Sequence, residues 1–464
     1  MSFTISKAGL ERLKELVAQQ ADEELLASVV GQHPADVAEL LDNLDRGDAR
    51  YFFERLEPEL AAEVILEVPE DRRDELLGNY TGKEIAEELI EHIDSDDAAD
   101  VISDLSEELR TEVLANIGDK EQRSEIAELL TYDEHTAGAL MAKELVKVQA
   151  DSSMLHCVRA LRQHAEHIDD VYAILVVDEH DRLVGSIPLK LLVTTSLRTP
   201  VREVYDPDVI SVKAHDDVEE VGRLMEKYDL VMMPVTDDRG RLLGRITVDD
   251  AMDAIREEET EDAQRMAGMG VLEYSYSRSG LVEMVKKRIG WLAVLFIGES
   301  FTATAMGFFE DQIAKAVVLA LFLPLIISSG GNTGSQASTL IIRALAVGDI
   351  TTAEWWRIFR RECSVGLILG VLLGVIGFLR VAVWSQFTDL YGPHWAEVGG
   401  VVAVSLVGVV LWGNLIGSLF PLVLKRLGLD PATSSAPFVA TVVDVTGLVI
   451  YFSIAAVFLR SIML

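Results

Sequence analysis

At 464 residues the chain is too long for a single domain, and 76 acidic against 41 basic side chains give a net charge of −35. A surface that acidic excludes nucleic acid and anionic lipid headgroups as natural partners and favours counter-cations. Two cysteines, Cys157 and Cys363, lie far apart, which excludes a disulfide framework and a CxxC metal site.

The total hides two unlike halves. Residues 1–285 carry 29 basic and 66 acidic side chains, a net of −37. From Lys286 onward there are 12 basic and 10 acidic, a net of +2. The opening stretch MSFTISKAGLERLKELV is charged and amphipathic, unlike a signal peptide, so the acidic half is expected in the cytoplasm.

Residues 1–130 read as an acidic α-helical N-domain with few glycines. A motif recurs as DVAELL from Asp36, LAAEVI from Leu60, EIAEEL from Glu84 and DAADVI from Asp97. Anchored on Ala38, Ala62, Ala86 and Ala99, the spacings are 24, 24 and 13 residues, which predicts a solenoid of short helices. The carboxylates Asp94, Asp96, Asp97 and Asp100 form either a solvated face or a cation-sensing surface.

Over residues 137–254 the pattern changes to strand, helix, strand, strand, helix, and does so twice. Asp178 matches Asp237 and Gly185 matches Gly244, both 59 residues apart. The shared turn D-x-x-D/G-R-L-h-G resembles CBS domains, pairing modules whose cleft often holds an adenosine nucleotide. In the second copy Thr247 and Asp250 resemble the family's ribose-reading G-x-h-T-x-x-D, a hydroxyl and a carboxylate at a strand-to-helix turn. The first copy has Pro188 and Leu191 at those places, so one nucleotide site per chain is expected at most. The plainer reading is that Asp249 and Asp250 cap the next helix.

A long acidic helix follows from Val248 to about Met269, and residues 255–285 are assigned to this connector. KKR at Lys286–Arg288 marks a bilayer edge. Residues 286–464 then hold five apolar stretches: Ile289–Phe309, Ile313–Ala346, Ser364–Trp384, Val398–Val423 and Ser434–Leu459. Basic links alternate with links that lack bases, which predicts an inside N-terminus and an outside C-terminus. The second stretch contains PLIISSGGNTGSQ from Pro324 to Gln336. A proline and several glycines predict a loosened helix, whose free carbonyls are tolerated where they line water; tight helix packing is the alternative.

In the last stretch Asp444 lies about ten residues in, hence ~15 Å deep. A lone carboxylate there costs at least ~2.5–3.5 kcal/mol on insertion scales. Ala436, Ala440, Asp444 and Gly447 share a helical face of small residues. That face predicts a cation site in a pore, against a buried aspartate paired to another helix.

PLIISSGGNTGSQAS, DPATSSAPFVATVVDVTG, the tandem CBS-like modules and the acidic helical N-domain together resemble the MgtE family of magnesium channels, in that family's order. The resemblance implies a homodimer in the cell (inner) membrane with a pore between subunits. The second and fifth spans would line it, through Asn332, Gly334, Gln336, Ala436, Ala440 and Asp444, with Asp444 as the Mg²⁺-coordinating carboxylate. It also implies that the connecting helix is a plug, closed when Mg²⁺ bridges acidic residues. The candidates are Asp96, Asp97, Asp100, Asp249, Asp250, Glu257, Glu258, Glu259, Asp262 and Asp430. ATP at the CBS region is a further implication. Ala436 stands where many members have Asn, which removes a polar ligand.

The chemistry is compatible without the family, because Mg²⁺ dehydrates reluctantly and one carboxylate per subunit can hold it through its water shell. Two alternatives stay open: transport of Mn²⁺ or Co²⁺, or efflux; and a membrane-anchored nucleotide sensor that transports nothing. No phosphate loop or nucleophile–base pair suggests an enzyme.

Overall fold

The computed structural model describes residues 7–164, 171–272, 276, 279–310, 317–388, 391–433 and 435–458. The predicted ends of the fifth span, Ser434 and Leu459, lie outside the described residues. The chain divides into two compact units, Met1–Arg256 and Glu257–Leu464.

In the first unit, short helices fill the chain from Lys7 to Leu129. The recurring alanines Ala38, Ala62, Ala86 and Ala99 are each 6% exposed or less, so the repeat marks the face that goes inward. Through the middle of the repeat, alternate helices pack on one another. Pro34–Asp42 meets Pro58–Glu67, which meets Gly82–Glu88, which meets Glu107–Asn116. That is the expected solenoid.

Local chemistry sets the helix ends. Pro34 and Pro58 occupy first turns, where a missing N–H costs nothing. Thr81 and Glu84 form a reciprocal capping box. Buried Arg72 donates to the carbonyls of Leu41, Asp42 and Leu44 at 2.9, 3.2 and 2.5 Å, closing the end of Pro34–Asp42. Glu75 balances its charge at 2.8 Å.

The duplication is visible in the sheets. Strands β1 (Lys147–Gln149), β2 (Ala173–Val177) and β3 (Leu183–Pro188) pair parallel and then antiparallel. Strands β4 (Val212–Lys213), β5 (Met232–Thr236) and β6 (Leu242–Thr247) do the same. Val176 pairs with Gly185 as Val235 pairs with Gly244, and both sheets shift register one residue later. Asp178 and Asp237 each accept two backbone N–H groups of their own turn, so the repeated aspartate is a turn former. Gly244 is required by close approach, since a Cβ there would lie 2.5 Å from the Ala142 carbonyl oxygen. The helical repeats share one core with the second module, whereas the first module has its own.

Helix Val248–Met266 continues directly from β6. Among the described residues of the second unit, five helices are long and apolar enough to cross a membrane: Leu281–Phe308, Val317–Ala346, Thr352–Trp384, Gly392–Arg426 and Ala436–Phe458. In chain order they are the first to fifth spans.

The loosened second span is corrected by the structure. Its helix is continuous from Leu323 to Ala346, with Pro324 in the first turn, and the break falls before it, at Leu321 and Phe322. The glycines serve packing instead. A Cβ at Gly334 would lie 2.8 Å from the Gly413 carbonyl oxygen, and one at Gly417 would overlap the Gly334 carbonyl. The second and fourth spans thus cross backbone to backbone. Gly366, Gly370 and Gly374 of the third span meet Leu411, Val407 and Ala403 of the fourth in the same manner. Gly417→Leu is therefore expected to cost more than the ~1–3 kcal/mol of ordinary overpacking, because backbone must move. Gly400→Ala, with nothing within 4 Å, should be silent. Yield and thermal stability of the detergent-solubilised variants check both.

Candidate functional site

Three places collect the predicted residues. In the first unit, Asp94, Asp96 and Asp97, at the start of helix Ser95–Ser103, lie close to Asp250 of the second module. Burial first, then Asp250, Asp94 and Asp100, pushes the Asp97 carboxyl up to about 7. Burial, then Asp97, Asp250 and Asp94, raises Asp96 well above the carboxylate range. Asp250 is raised by burial and by Asp249, against its hydrogen bond from Thr247. Such crowding favours either protons or a cation.

Oxygens of Asp94, Asp96 and Glu144 lie within 4.8 Å of one another, a donor set that suits a hard divalent ion. Ser95 orients Glu144, donating from its backbone N at 3.1 Å and its Oγ at 2.7 Å. Arg245 stands 3.7 Å from Asp94. Asp100 is engaged elsewhere: Arg73 donates to it at 2.5 Å and to Asp104 at 3.1 Å. Asp249 is exposed. Asp94 belongs to the acidic cluster read from the sequence, whereas Glu144 escapes sequence reasoning, because a loop glutamate shows no periodicity and its partners lie about 50 residues away.

At the nucleotide motif, Thr247 is buried at the end of β6 and its Oγ1 donates to Asp250. The Asp250 carboxylate also accepts from the Thr247 backbone N at 3.4 Å. The T-x-x-D pair therefore caps the connecting helix and presents a hydroxyl and a carboxylate together.

The second unit holds the rest. Arg265, near the end of the connecting helix, donates to Asp430 at 2.8 Å and pairs with Glu261. Arg343 of the second span donates to Glu259 at 3.0 Å. Asp262 is half-buried, and burial followed by Asp430 raises its carboxyl. Glu257 is exposed and Glu258 half-buried. Gly268 approaches Trp291 and Pro437, where a Cβ would lie 2.7 and 3.3 Å away, so the connector ends beside the start of the fifth span. Two predicted sensing carboxylates, Glu259 and Asp430, are thus held by arginines.

Within the spans, Asp444 is half-buried, and a Cβ at Gly331 would lie 3.8 Å from its Oδ1 and 3.5 Å from Ala440 Cβ. The second and fifth spans therefore face each other through small residues at Asp444. Asn332 and Gln336, one turn apart, are exposed on the second span, whereas Gly334 is buried against the fourth. Gly447 is buried against Val409. Ala436 offers its carbonyl, which accepts from Ser335 Oγ at 3.1 Å.

Five membrane-length helices joined to an acidic solenoid and a CBS pair define a multi-pass membrane protein with a large extramembrane half. Residues 323–454 match MgtE, a divalent cation transporter family, residues 32–135 match the MgtE intracellular N domain, and residues 137–195 and 201–257 match CBS domains. The chain is 40% identical over 334 residues to the magnesium transporter MgtE of Thermus thermophilus, covering 72% of each. It is 34% identical over 333 residues to that of Enterococcus faecalis, covering 72% of this chain and 71% of the relative. A solved cytosolic domain of the Mg²⁺ channel MgtE in complex with ATP is 32% identical, over 53% of this chain and 99% of that one, with a TM-score of 0.49. The chain belongs to the MgtE family, whose members are transporters rather than enzymes.

Proposed function

We propose that the chain is a homodimeric Mg²⁺ channel for magnesium uptake across the cell membrane, with its N-terminus in the cytoplasm and its C-terminus outside. The observation that carries this reading is Asp444, a carboxylate set among Gly331 and Ala440 where the second and fifth spans meet. Two such carboxylates across a two-fold axis would match a dication and hold it through its water shell. Hard oxygen donors favour Mg²⁺ over ions that select thiolate or imidazole. The names of the curated relatives agree on magnesium.

Gating follows from the acidic half. Mg²⁺ bridging Asp94, Asp96, Asp97, Glu144 and Asp250 would relieve their mutual repulsion and favour the compact arrangement, in which the connecting helix closes the path. Uptake of Mg²⁺, Mn²⁺ and Co²⁺ into liposomes holding the purified protein tests the ion. Mg²⁺ should pass best; flux of none of the three would favour a nucleotide sensor.

ATP would bind the second module at Thr247 and Asp250. Thr247→Ala with Asp250→Ala should weaken ATP binding by about a hundredfold, two lost hydrogen bonds of ~1.5 kcal/mol each. Titration calorimetry on the full chain measures it, and unchanged affinity would move the ligand elsewhere.

A further inference from the structure

Glu283 lies in the first turn of the first span, ahead of its basic residues; past Arg288 that span carries one further carboxylate, Glu299, which has no part in the proposed function. It lies about three turns beyond Arg288, the last of the basic residues near the start of that span, and its side chain is exposed on the subunit. An ionisable group so far inside an apolar helix is expensive to insert and marks function by default.

Packing of the first span on the fifth sets its height. Trp291 Nε1 donates to Ser435 Oγ at 3.0 Å, and the Trp291 ring lies 6.1 Å from that of Phe438. Two turns on, a Cβ at Gly298 would lie 2.9 Å from Thr441 Cγ2, so the helices touch there. Both contacts advance together along the two chains, so the helices run parallel and in register. That register brings Glu299 within a turn of Asp444, and the two carboxylates act on each other electrostatically. One turn past Gly298 on the same stripe, Thr302 Oγ1 is shielded from solvent and lacks a hydrogen-bond partner among the described residues. Among the described residues, an unsatisfied oxygen and a carboxylate without a salt bridge thus stand within a turn of each other, beside the face that holds Asp444.

We propose that Glu299 is a second carboxylate of the permeation path, sharing the hydrated cation with Asp444 and setting the preference for divalent over monovalent ions. This rests on Asp444 lining that path. Attraction to a fixed charge scales with ionic charge, so a second carboxylate at one height favours a dication over Na⁺. Because Mg²⁺ keeps its waters, Glu299 needs only to reach that shell.

The test is Mg²⁺ and Na⁺ flux in liposomes containing the full chain, for wild type, Asp444→Ala, Glu299→Gln, Glu299→Met and Glu299→Asp. Glu299→Gln should assemble as wild type, lose Mg²⁺ flux about tenfold, the equivalent of ~1.4 kcal/mol, and lower the Mg²⁺-to-Na⁺ ratio. Glu299→Met should match it, and Glu299→Asp should recover part of both. Wild-type flux and ratio in Glu299→Gln, beside a dead Asp444→Ala, would overturn the role of Glu299 alone. An active Asp444→Ala would overturn the reading beneath it. Equal losses in Gln, Met and Asp with an unchanged ratio would make Glu299 structural and also overturn the proposal.

Discussion

Asp444→Ala is expected to abolish Mg²⁺ flux while the protein still inserts and assembles. The side chain is half-buried between two faces of small residues, so truncation removes charge without removing packing. Deleting a midplane carboxylate also removes an insertion cost of at least ~2.5–3.5 kcal/mol, so the variant should be no less stable than wild type. Asp444→Asn keeps the size and loses the charge, and it should fail as well. Loss of flux with gained stability would identify a residue kept for the ion rather than for the fold. A stopped-flow Mg²⁺ indicator assay and a thermal melt on the same preparation check the pair.

The second large effect is on closure. Neutralising Asp94, Asp96 and Asp97 together as Asn should shift inhibition by internal Mg²⁺ at least about tenfold to higher concentration, the loss of ~1.4 kcal/mol or more, leaving permeation intact. Titration gives the sign independently. Asp97 is raised in the folded arrangement to about 7 from an ordinary 3.8, so the folded form binds more protons than the opened one between those values. Stability of the compact arrangement therefore falls as pH rises through that window, and the full repulsion is present above about 7. Without Mg²⁺, the first unit should resist proteolysis better at pH 6 than at pH 8. Adding Mg²⁺ at pH 8 should restore the resistance, and the triple Asn variant should show neither dependence. Asp100 is left out of the triple because its bond from Arg73 makes it part of the solenoid.

Much of this was legible in the residues. The alanine repeat marked the buried face of the solenoid, and the 59-residue match of Gly185 to Gly244 carried through to identical register in the two sheets. Asp444 stood out because a lone charge in an apolar run has few structural explanations. The glycines of the second span were less legible. Gly330 and Gly334 loosen a helix in isolation, yet here they admit Gly413 and Gly417 of the fourth span, a partner that local pattern does not disclose. Glu144 and Glu299 depend in the same way on pairings distant in sequence. Glu299 is as conspicuous in its span as Asp444 is, but its meaning comes from the register of the first span on the fifth. The arginines holding Glu259 and Asp430 show why counting carboxylates along the connector overstates its free acidic charge.

In the proposed mechanism one ion both permeates at Asp444 and closes the path from the acidic half. Its most direct test is Mg²⁺ influx into liposomes containing wild type, oriented with the acidic half inside, as luminal Mg²⁺ is raised at fixed ATP. Fast influx is expected at low luminal Mg²⁺ and steep loss at millimolar-order levels, with the loss displaced in the triple Asn variant. Influx indifferent to luminal Mg²⁺, or suppressed identically in the variant, would contradict it.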